Sequence, residues 1–336
     1  MSTIAAASAD PWSVREEDLA AAETTRDKMA VLVRYALLAP STKNTQPWRF
    51  RVGDDAVFLH ADRSRRQPVA DGDLRELYLS LGCALENLLI AAERFGYVHV
   101  VEYFPDPFDA DLVASVVFTR GGGVDPVREG LFAAIPSRAT CQRAFRAGEV
   151  DDTALAALEA ATHEPGVAVH LTSDAGIRER AEALCLEADA RLFSDPAFRQ
   201  ELARWIGEGV FGTSWFVSKL GELAVPLFNL TSSEQKKDRA RLASAPVLGL
   251  ISAEANDRLS QVRAGQAFER LWLRATALGL ALQPMSQIVQ LADLKAQVSQ
   301  LLPDPARYPM QPFRLGFGDT DAKRTPRRPL AEVLLG

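Results

Sequence analysis

The chain has 336 residues, of which 47% are hydrophobic and 24% are charged, the composition of an ordinary globular protein. Its length predicts two domains or one large domain. The formal net charge of −6 argues against a surface built to bind nucleic acids or anionic membranes in general. We therefore expect neither kind of partner.

Cysteine, histidine and apolar patterns exclude several further classes. The three cysteines form no CxxC pair, which favours buried or free thiols in a reducing cytoplasm. The four histidines lack metal-ligand spacing, so no metal site is predicted. No basic segment precedes an apolar core at the N-terminus, and the longest apolar window, residues 271–285, is short and interrupted by Arg274. A soluble, cytoplasmic protein without a signal peptide is expected.

Residues 39–50, APSTKNTQPWRF, follow an apolar helical pattern. Pro40 should end that helix, because proline lacks an N–H group and moves the preceding residue out of the α region. A compact polar loop then leads into a strand, a common setting for a ligand site. A helix C-terminus with an Asx-type turn would give the same pattern.

This segment resembles the A-P-S-x-x-N-x-Q-P-W-x-F signature of the FMN-dependent nitroreductase superfamily, and specifically its tandem-domain Acg-like branch. In that family the loop lies against the flavin ring, whose polar edge small donors and acceptors can reach without crowding. The resemblance implies FMN as the cofactor. It makes four residues candidate FMN contacts: Pro40, Ser41, Thr42 and Asn44.

Segments 82–96 and 265–279 are identical at six of fifteen positions, at a constant separation of 183 residues. Both have apolar residues at i, i+3, i+4 and i+7, which predicts a helix with a broad buried face. Both end at a glycine suited to a left-handed cap. Two of the identical pairs are Gly82/Gly265 and Glu86/Glu269. Similar helix–strand patterns surround both segments, which indicates an internal duplication.

The best linker signal lies at residues 121–126, GGGVDP. It divides the chain into an N-terminal extension (1–24), a first nitroreductase-like half (25–125) and a second half (126–336). Ordinary nitroreductases are homodimers that bind FMN across the subunit interface. The resemblance therefore implies an α+β fold, in which two fused domains with mostly antiparallel sheets and flanking helices form an intrachain pseudo-dimer. We expect a monomer.

Residues 135–145, IPSRATCQRAF, resemble the R-x-[ST]-x-R-x-F motif that holds the FMN phosphate in this family. The resemblance assigns Arg138 and Thr140 to the phosphate, since a planar guanidinium can bind two oxygens at once. Arg143 is a third candidate. The match differs from the motif here, since one residue is added before Phe145 and Gln142 replaces a frequent basic residue. A solvated basic turn is the alternative.

A basic run, KRTPRRP, spans residues 323–329. The acidity of the rest of the chain disfavours a nuclear-localisation or nucleic-acid reading. In the resembled family a late basic pair folds back onto the phosphate, so Arg327 and Arg328 are candidates. Which of the two points inward stays open.

Each half keeps a different part of one site. The first half lacks an R-x-[ST] pattern, and the second half has AATHEP at residues 160–165 in place of an APSxxN loop. We therefore expect one FMN site, with its ring loop from the first half and its phosphate contacts from the second.

Residues 280–288, LALQPMSQI, follow the second repeated helix. In the resembled family, backbone at this place offers an N–H group to flavin N5, which favours the negative charge of reduced flavin. Four residues occupy that place: Pro284, Met285, Ser286 and Gln287. A buried segment with a gap-filling methionine is the alternative.

The sequence contains no nucleophile–base pair, Walker loop or GxGxxG motif, and it demands no side-chain catalyst. The expected function is an FMN-dependent oxidoreductase that passes hydride from NAD(P)H through flavin N5 to an electron-poor acceptor such as a nitroaromatic or quinone. Residues 193–228, rich in aromatic side chains, are either a lid over the flavin or an extra subdomain. A closed lid would instead favour a flavin-binding or sequestering protein with little turnover.

Overall fold

The computed structural model describes residues 10–123, 126–212, 239–319 and 324–336. These residues form two four-stranded antiparallel sheets with helices packed against them, which confirms the predicted α+β fold. In the described ranges every helix is too short or too polar to cross a membrane. All three cysteines are buried free thiols.

The first half contains one sheet with the strand order β1-β2-β4-β3. Helix α1 (Glu16–Ala20) belongs to the N-terminal extension, and the helices of the first half are α2 (Thr25–Ala36) and α3 (Arg75–Arg94). Its strands are β1 (Trp48–Val52), β2 (Ala56–Ala61), β3 (Tyr97–Tyr103) and β4 (Leu112–Arg120). Helix α2 begins at a capping box, in which the Thr24 hydroxyl accepts from the Asp27 N–H and the Asp27 carboxylate accepts from Thr24.

The second half contains the other sheet, with the order β5-β6-β8-β7. Its strands are β5 (Val167–Thr172), β6 (Val247–Ala253), β7 (Ala281–Pro284) and β8 (Tyr308–Gly316). The helices here are α4 (Pro126–Ala134), α5 (Asp152–Ala161), α6 (Ala175–Ser194), α7 (Pro196–Gly207), α8 (Arg258–Ala277), α9 (Ala292–Ser299) and α10 (Leu330–Val333). Both sheets place their own strands in the order first, second, fourth, third, as a duplication predicts.

Helices α3 and α8 contain all but the last two residues of the repeated segments, and they cross at Gly82 and Gly265. A Cβ atom added at Gly82 would lie 2.0 Å from the Val262 carbonyl oxygen, and one added at Gly265 would lie 2.0 Å from that of Leu79. Only glycine allows the two backbones to approach this closely. The crossing joins both halves in one hydrophobic core, which agrees with the predicted pseudo-dimer.

Helix α2 ends earlier than Pro40 alone predicts. Its last residue is Ala36, and single turns follow, with the N–H groups of Leu38 and Ala39 donating to carbonyls three residues back. Such tightening of the last turn is common at helix ends. It leaves the Leu38 carbonyl available to other donors. The predicted left-handed glycines are confirmed, since φ is 76° at Gly96 and 73° at Gly279.

The C-terminal segment, residues 324–336, lies against the first half. Leu334 forms a parallel bridge with Phe50, and the Leu335 N–H donates to the Phe50 carbonyl at 2.7 Å. Part of the chain assigned to the second half thus packs on the edge of the first sheet. The domain boundary at residues 121–126 remains a prediction.

Candidate functional site

The loop that follows helix α2 adopts an unusual backbone. Three non-glycine residues have positive φ angles, namely Lys43 (50°), Asn44 (55°) and Gln46 (52°). This left-handed conformation is unfavourable for side chains other than glycine, and it persists where surrounding contacts impose it. Here the Ser41 hydroxyl accepts from the Gln46 N–H at 2.9 Å, and the Ser80 hydroxyl accepts from the Thr42 N–H at 3.4 Å. Such strain is typical of functional sites.

Asn44 ties this loop to two distant parts of the chain. Its Nδ2 donates to the carbonyls of Val210 at 2.6 Å and Pro326 at 2.9 Å, while its Oδ1 accepts from Arg327 at 3.0 Å. The Asn44 amide is therefore fully engaged within the protein. The predicted contact of Asn44 with FMN would have to replace one of these bonds.

Arg138 and Arg327 converge on the Leu38 carbonyl, directly before the loop. Arg138 donates to this oxygen at 2.9 Å and Arg327 at 3.3 Å. Their residues are only 5% and 9% exposed. Burial, together with the charge of Arg138, lowers the pKa of Arg327 to about 9. Two buried cations close together make this the natural place for an anion.

The counter-charge for Arg138 is Glu269 on helix α8. The Arg138 Nε lies 3.4 Å from a Glu269 oxygen, and the Glu269 side chain is fully buried. Burial raises the pKa of Glu269 to about 7, although Arg138 opposes the shift. The Asn87 amide, assigned in the orientation that satisfies both neighbours, donates to Glu269 at 3.0 Å and accepts from the Ala39 N–H at 3.2 Å. These bonds connect the buried carboxyl to the loop.

Glu86, the repeat-related partner of Glu269, has different neighbours. It accepts from Arg128 at 2.8 Å and from Arg270 at 3.0 Å. Burial opposes its charge, but the two arginines outweigh burial and lower its pKa. Arg270 also pairs at 2.6 Å with Glu164, from the 160–165 loop that replaces the APSxxN loop in the second half. At the repeat-related position, the charged groups are thus joined to one another in ion pairs.

This difference between the two glutamates predicts opposite pH effects on stability. Because the pKa of Glu269 is raised from 4.5 to about 7, the folded chain keeps this proton where the unfolded chain loses it. The contribution of Glu269 is therefore largest below pH 4.5 and is lost as the pH rises to about 7. We expect the stability of Glu269→Gln relative to wild type to rise on the order of 2 kcal/mol between pH 5 and pH 8. Urea unfolding at both pH values measures it.

The matched control is Glu86→Gln, at the repeat-related position. Since the pKa of Glu86 is lowered, its contribution is present above the unfolded pKa and is lost as the pH falls. The free energy of unfolding of Glu86→Gln relative to wild type should therefore not rise between pH 5 and pH 8 as that of Glu269→Gln does. Parallel stability curves for Glu269→Gln and wild type would show that the assignment of a raised pKa is wrong.

The segment after β7 approaches the loop from the second half. Pro284 pairs with Phe313 on β8, and the Met285 N–H donates to the Pro312 carbonyl at 2.8 Å. Met285 therefore cannot offer this N–H group to a flavin. Residues 286–289 form a short 3₁₀ turn, whose first N–H groups have no acceptor within the turn. This leaves Ser286 and Gln287 as the residues that fit the predicted backbone role.

This segment and the loop both pack on the first turns of helix α3. Gln290 donates to the Glu76 carboxylate at 2.9 Å, and the Ser80 hydroxyl donates to the Glu76 carbonyl at 2.6 Å. Ser80 is also the acceptor for Thr42. The first two turns of α3 thus contact both segments that the family resemblance assigns to the flavin ring.

The remaining arginine candidates separate. Arg327 joins Arg138, whereas the Arg328 guanidinium donates to the Gln46 carbonyl at 3.1 Å and to Asp62 at 3.2 Å. Arg328 thus supports the loop, and the assignment of the phosphate to Arg327 stays a prediction. Arg143 is exposed, and its carbonyl accepts from Arg314 at 3.1 Å.

Thr140 lies between these groups and strand β7. It forms a parallel bridge with Leu282, and the next residue, Cys141, donates its N–H to the Leu282 carbonyl at 2.9 Å. The predicted phosphate motif is therefore attached to the strand that leads directly into residues 284–287. This attachment links the two parts of the site that come from the second half.

Part of the segment predicted as a lid or subdomain lies over the loop. The Glu201 carboxylate on helix α7 accepts from the N–H groups of Val69 and Ala70 at 2.9 and 3.2 Å. Val210 accepts from Asn44, as described above. Trp215, Phe216 and Phe228 lie outside the described residues. The lid and subdomain hypotheses both remain predictions.

Several contributors to the site escaped the sequence analysis. Glu269 carried a signal, because it is one of the identical positions of the repeat. Asn87, Ser80 and Lys43 carried none. The Lys43 ammonium donates to Gln67 at 2.7 Å and lies 4.7 Å from the centre of the Phe198 ring. Burial lowers the pKa of Lys43.

Comparisons with known proteins agree with this architecture. Residues 135–308 match the family model described as "Nitroreductase family". A Mycobacterium tuberculosis H37Rv protein provisionally named NAD(P)H nitroreductase Rv3131 is 30% identical over 327 residues, which cover 93% of this chain and 91% of that protein. The provisionally named NAD(P)H nitroreductase acg of the same strain is 29% identical over 320 residues, covering 92% and 96%.

A solved structure extends the likeness to the whole fold. The crystal structure of a provisionally named nitroreductase from Anabaena variabilis ATCC 29413 superposes with a TM-score of 0.52 at 11% identity. The superposition covers 90% of this chain and 91% of that one, so both halves share that fold. The chain therefore belongs to the nitroreductase family, with an Acg-like relationship as the APSTKNTQPWRF segment indicated.

Proposed function

We propose that this protein is an FMN-dependent oxidoreductase that passes hydride from NAD(P)H through flavin N5 to an electron-poor small molecule. The observation that carries the proposal is the meeting of Arg138 and Arg327 at Leu38, directly before the nitroreductase loop. Membership of an oxidoreductase family supports the reaction class, and the names of the mycobacterial relatives support NAD(P)H as the donor.

The residues present fit an anionic cofactor. Within the described part of the chain, the buried Arg327 Nε has no hydrogen-bond partner. A buried N–H group without a partner is costly, and a phosphate oxygen would satisfy it. Arg138, Arg327 and Thr140 would hold the phosphate. The ring would be held by Pro40, Ser41 and Thr42 and by the backbone of Ser286 and Gln287.

When bound, FMN supplies the two-electron chemistry, and the protein supplies position and electrostatics. The strained 41–46 loop presents small polar groups in a fixed arrangement. The N–H groups that open the 286–289 turn supply dipoles that favour negative charge nearby. No acid or base from a side chain is required by this scheme.

A single site per chain follows from the asymmetry of the two halves. At the repeat-related position in the other half, ion pairs join Arg270 to Glu164 and to Glu86. An FMN phosphate placed there would meet the buried Glu86 carboxylate and the partly buried Glu164 carboxylate. We therefore expect about one FMN per chain and a pseudo-dimer that acts as a monomer, with the domain division near residues 121–126.

A second candidate function is flavin binding with little turnover. The observation that favours it is the cover over the loop, where Val210 accepts from Asn44 and Glu201 holds the backbone of Val69 and Ala70. If this cover stays closed, a nicotinamide cannot stack on the ring. The flavin would then stay bound without being reduced by NAD(P)H and reoxidised by an acceptor.

Anaerobic titration of the FMN-loaded protein with NADPH, and separately with NADH, tests the proposal. We expect at least one of the two to bleach the visible flavin bands, and an added quinone or nitroaromatic to restore them. Bands that resist both nucleotides but bleach with dithionite would contradict the oxidoreductase proposal and support the second candidate. A failure to bind FMN at all would contradict both.

A further inference from the structure

The N-terminal extension has no role in the function proposed above, yet it contacts the C-terminal basic run directly. The Trp12 ring contacts two arginines of the C-terminal run, whose guanidinium carbons each lie 4.9 Å from the ring centre. These arginines are Arg324 and Arg327. The indole N–H of Trp12 also donates to the Thr325 carbonyl at 2.8 Å. The Thr325 hydroxyl in turn accepts from Arg327 at 2.7 Å.

Arg34 fixes the segment that carries Trp12. Arg34 is 5% exposed and donates to the Ser13 hydroxyl at 3.3 Å and to the Asp18 carboxylate at 2.7 Å. It belongs to helix α2, which leads to Leu38, the acceptor shared by Arg138 and Arg327. Trp12 and the Leu38 carbonyl thus both contact Arg327; helix α2 holds the Trp12 segment through Arg34 and ends two residues before Leu38.

We propose that Trp12 is a positioning residue for the FMN phosphate, which it serves by holding Arg327 in its buried orientation. This inference rests on the proposed function. An arginine side chain has many rotamers, and ordering it at the moment of binding weakens affinity. A cation–π contact and the indole hydrogen bond order it beforehand. Trp12 therefore increases the preference for a phosphorylated flavin over one without phosphate.

The test compares FMN with riboflavin, which has the same ring system and no phosphate. Fluorescence quenching gives both dissociation constants for wild type, Trp12→Ala and Trp12→Phe. For Trp12→Ala we expect an affinity for FMN lower by about ten-fold, with riboflavin changed by less than about two-fold. Trp12→Phe retains the ring and should recover most of the affinity for FMN. Thermal denaturation confirms that each variant is folded.

A double-mutant cycle with Arg327→Ala separates positioning from general destabilisation. If Trp12 acts through Arg327, Trp12→Ala should cause no further loss of FMN affinity in the Arg327→Ala background. Equal losses for FMN and riboflavin in Trp12→Ala, or unchanged FMN binding, would overturn the inference. Equal affinities of wild type for FMN and riboflavin would instead contradict the phosphate site of the proposed function.

Discussion

Replacing Gly82 by alanine is expected to lower the free energy of unfolding by about 3 kcal/mol or more. The new Cβ atom would lie 2.0 Å from the Val262 carbonyl oxygen and 2.9 Å from the Gly265 Cα atom. Both are backbone atoms within a helix, so no side-chain rotation relieves the clash. Helices α3 and α8 would have to move apart, and the core shared by both halves would lose its packing. Urea unfolding followed by circular dichroism measures the change.

Gly130→Ala is the matched control for this substitution. It is also a glycine-to-alanine change within a helix, but no atom lies within 4 Å of the added Cβ. Alanine has the higher helix propensity, so this variant should be as stable as wild type or more stable by about 0.5–1 kcal/mol. Gly265→Ala should resemble Gly82→Ala. Equal stability of the Gly82 and Gly130 variants would contradict the crossing geometry.

Arg138→Ala is expected to weaken FMN binding by about 100-fold, because the proposed phosphate site would lose its charge-assisted hydrogen bonds from this arginine. The same change removes the ion-pair partner of Glu269 in a fully buried place. An uncompensated buried charge costs about 3 kcal/mol, a cost that should be smaller at low pH, where Glu269 binds a proton. Fluorescence titration with FMN and urea unfolding of the apoprotein measure the two effects separately.

The double variant Arg138→Ala/Glu269→Gln distinguishes the two roles of Arg138. Removing the carboxylate should restore much of the lost stability and leave FMN binding weak. Arg143→Ala serves as the binding control, since the backbone of Arg143 lies beside Arg314 rather than Leu38. A comparable loss of FMN affinity in Arg143→Ala would show that the phosphate lies elsewhere.

Local signals in the sequence predicted most of the fold. The two long buried helices contain the repeated segments up to residues 94 and 277, and the glycines at 96 and 279 follow them, because apolar periodicity and a terminal glycine are local properties. The end of helix α2 was misplaced by three residues. Pro40 forbids a helix beyond it, but it does not determine how the turn before it closes.

The site was only partly predictable, because its parts meet through contacts distant in the sequence. Motifs identified the 39–50 loop and Arg138, whereas the bond between Asn44 and Val210 joins residues 166 apart. The contact of Trp12 with Thr325 joins residues 313 apart. Neither contact produces a periodic pattern that could be recognised in a single sequence. The use of the Met285 N–H by strand β8 depended likewise on a pairing register.

The return of residues 324–335 to the first half has a consequence for how the protein is made. These residues leave the ribosome after the rest of the described chain, yet they supply Arg327 and pair with the edge strand at Phe50. Domains fold as they emerge from the ribosome, so the first half gains its contacts with residues 324–335 only after most of the second half has been synthesised. The meeting of Arg138 and Arg327 at Leu38 is therefore completed only after residues 324–335 have been synthesised, and a chain terminated before them would lack this part of the candidate site.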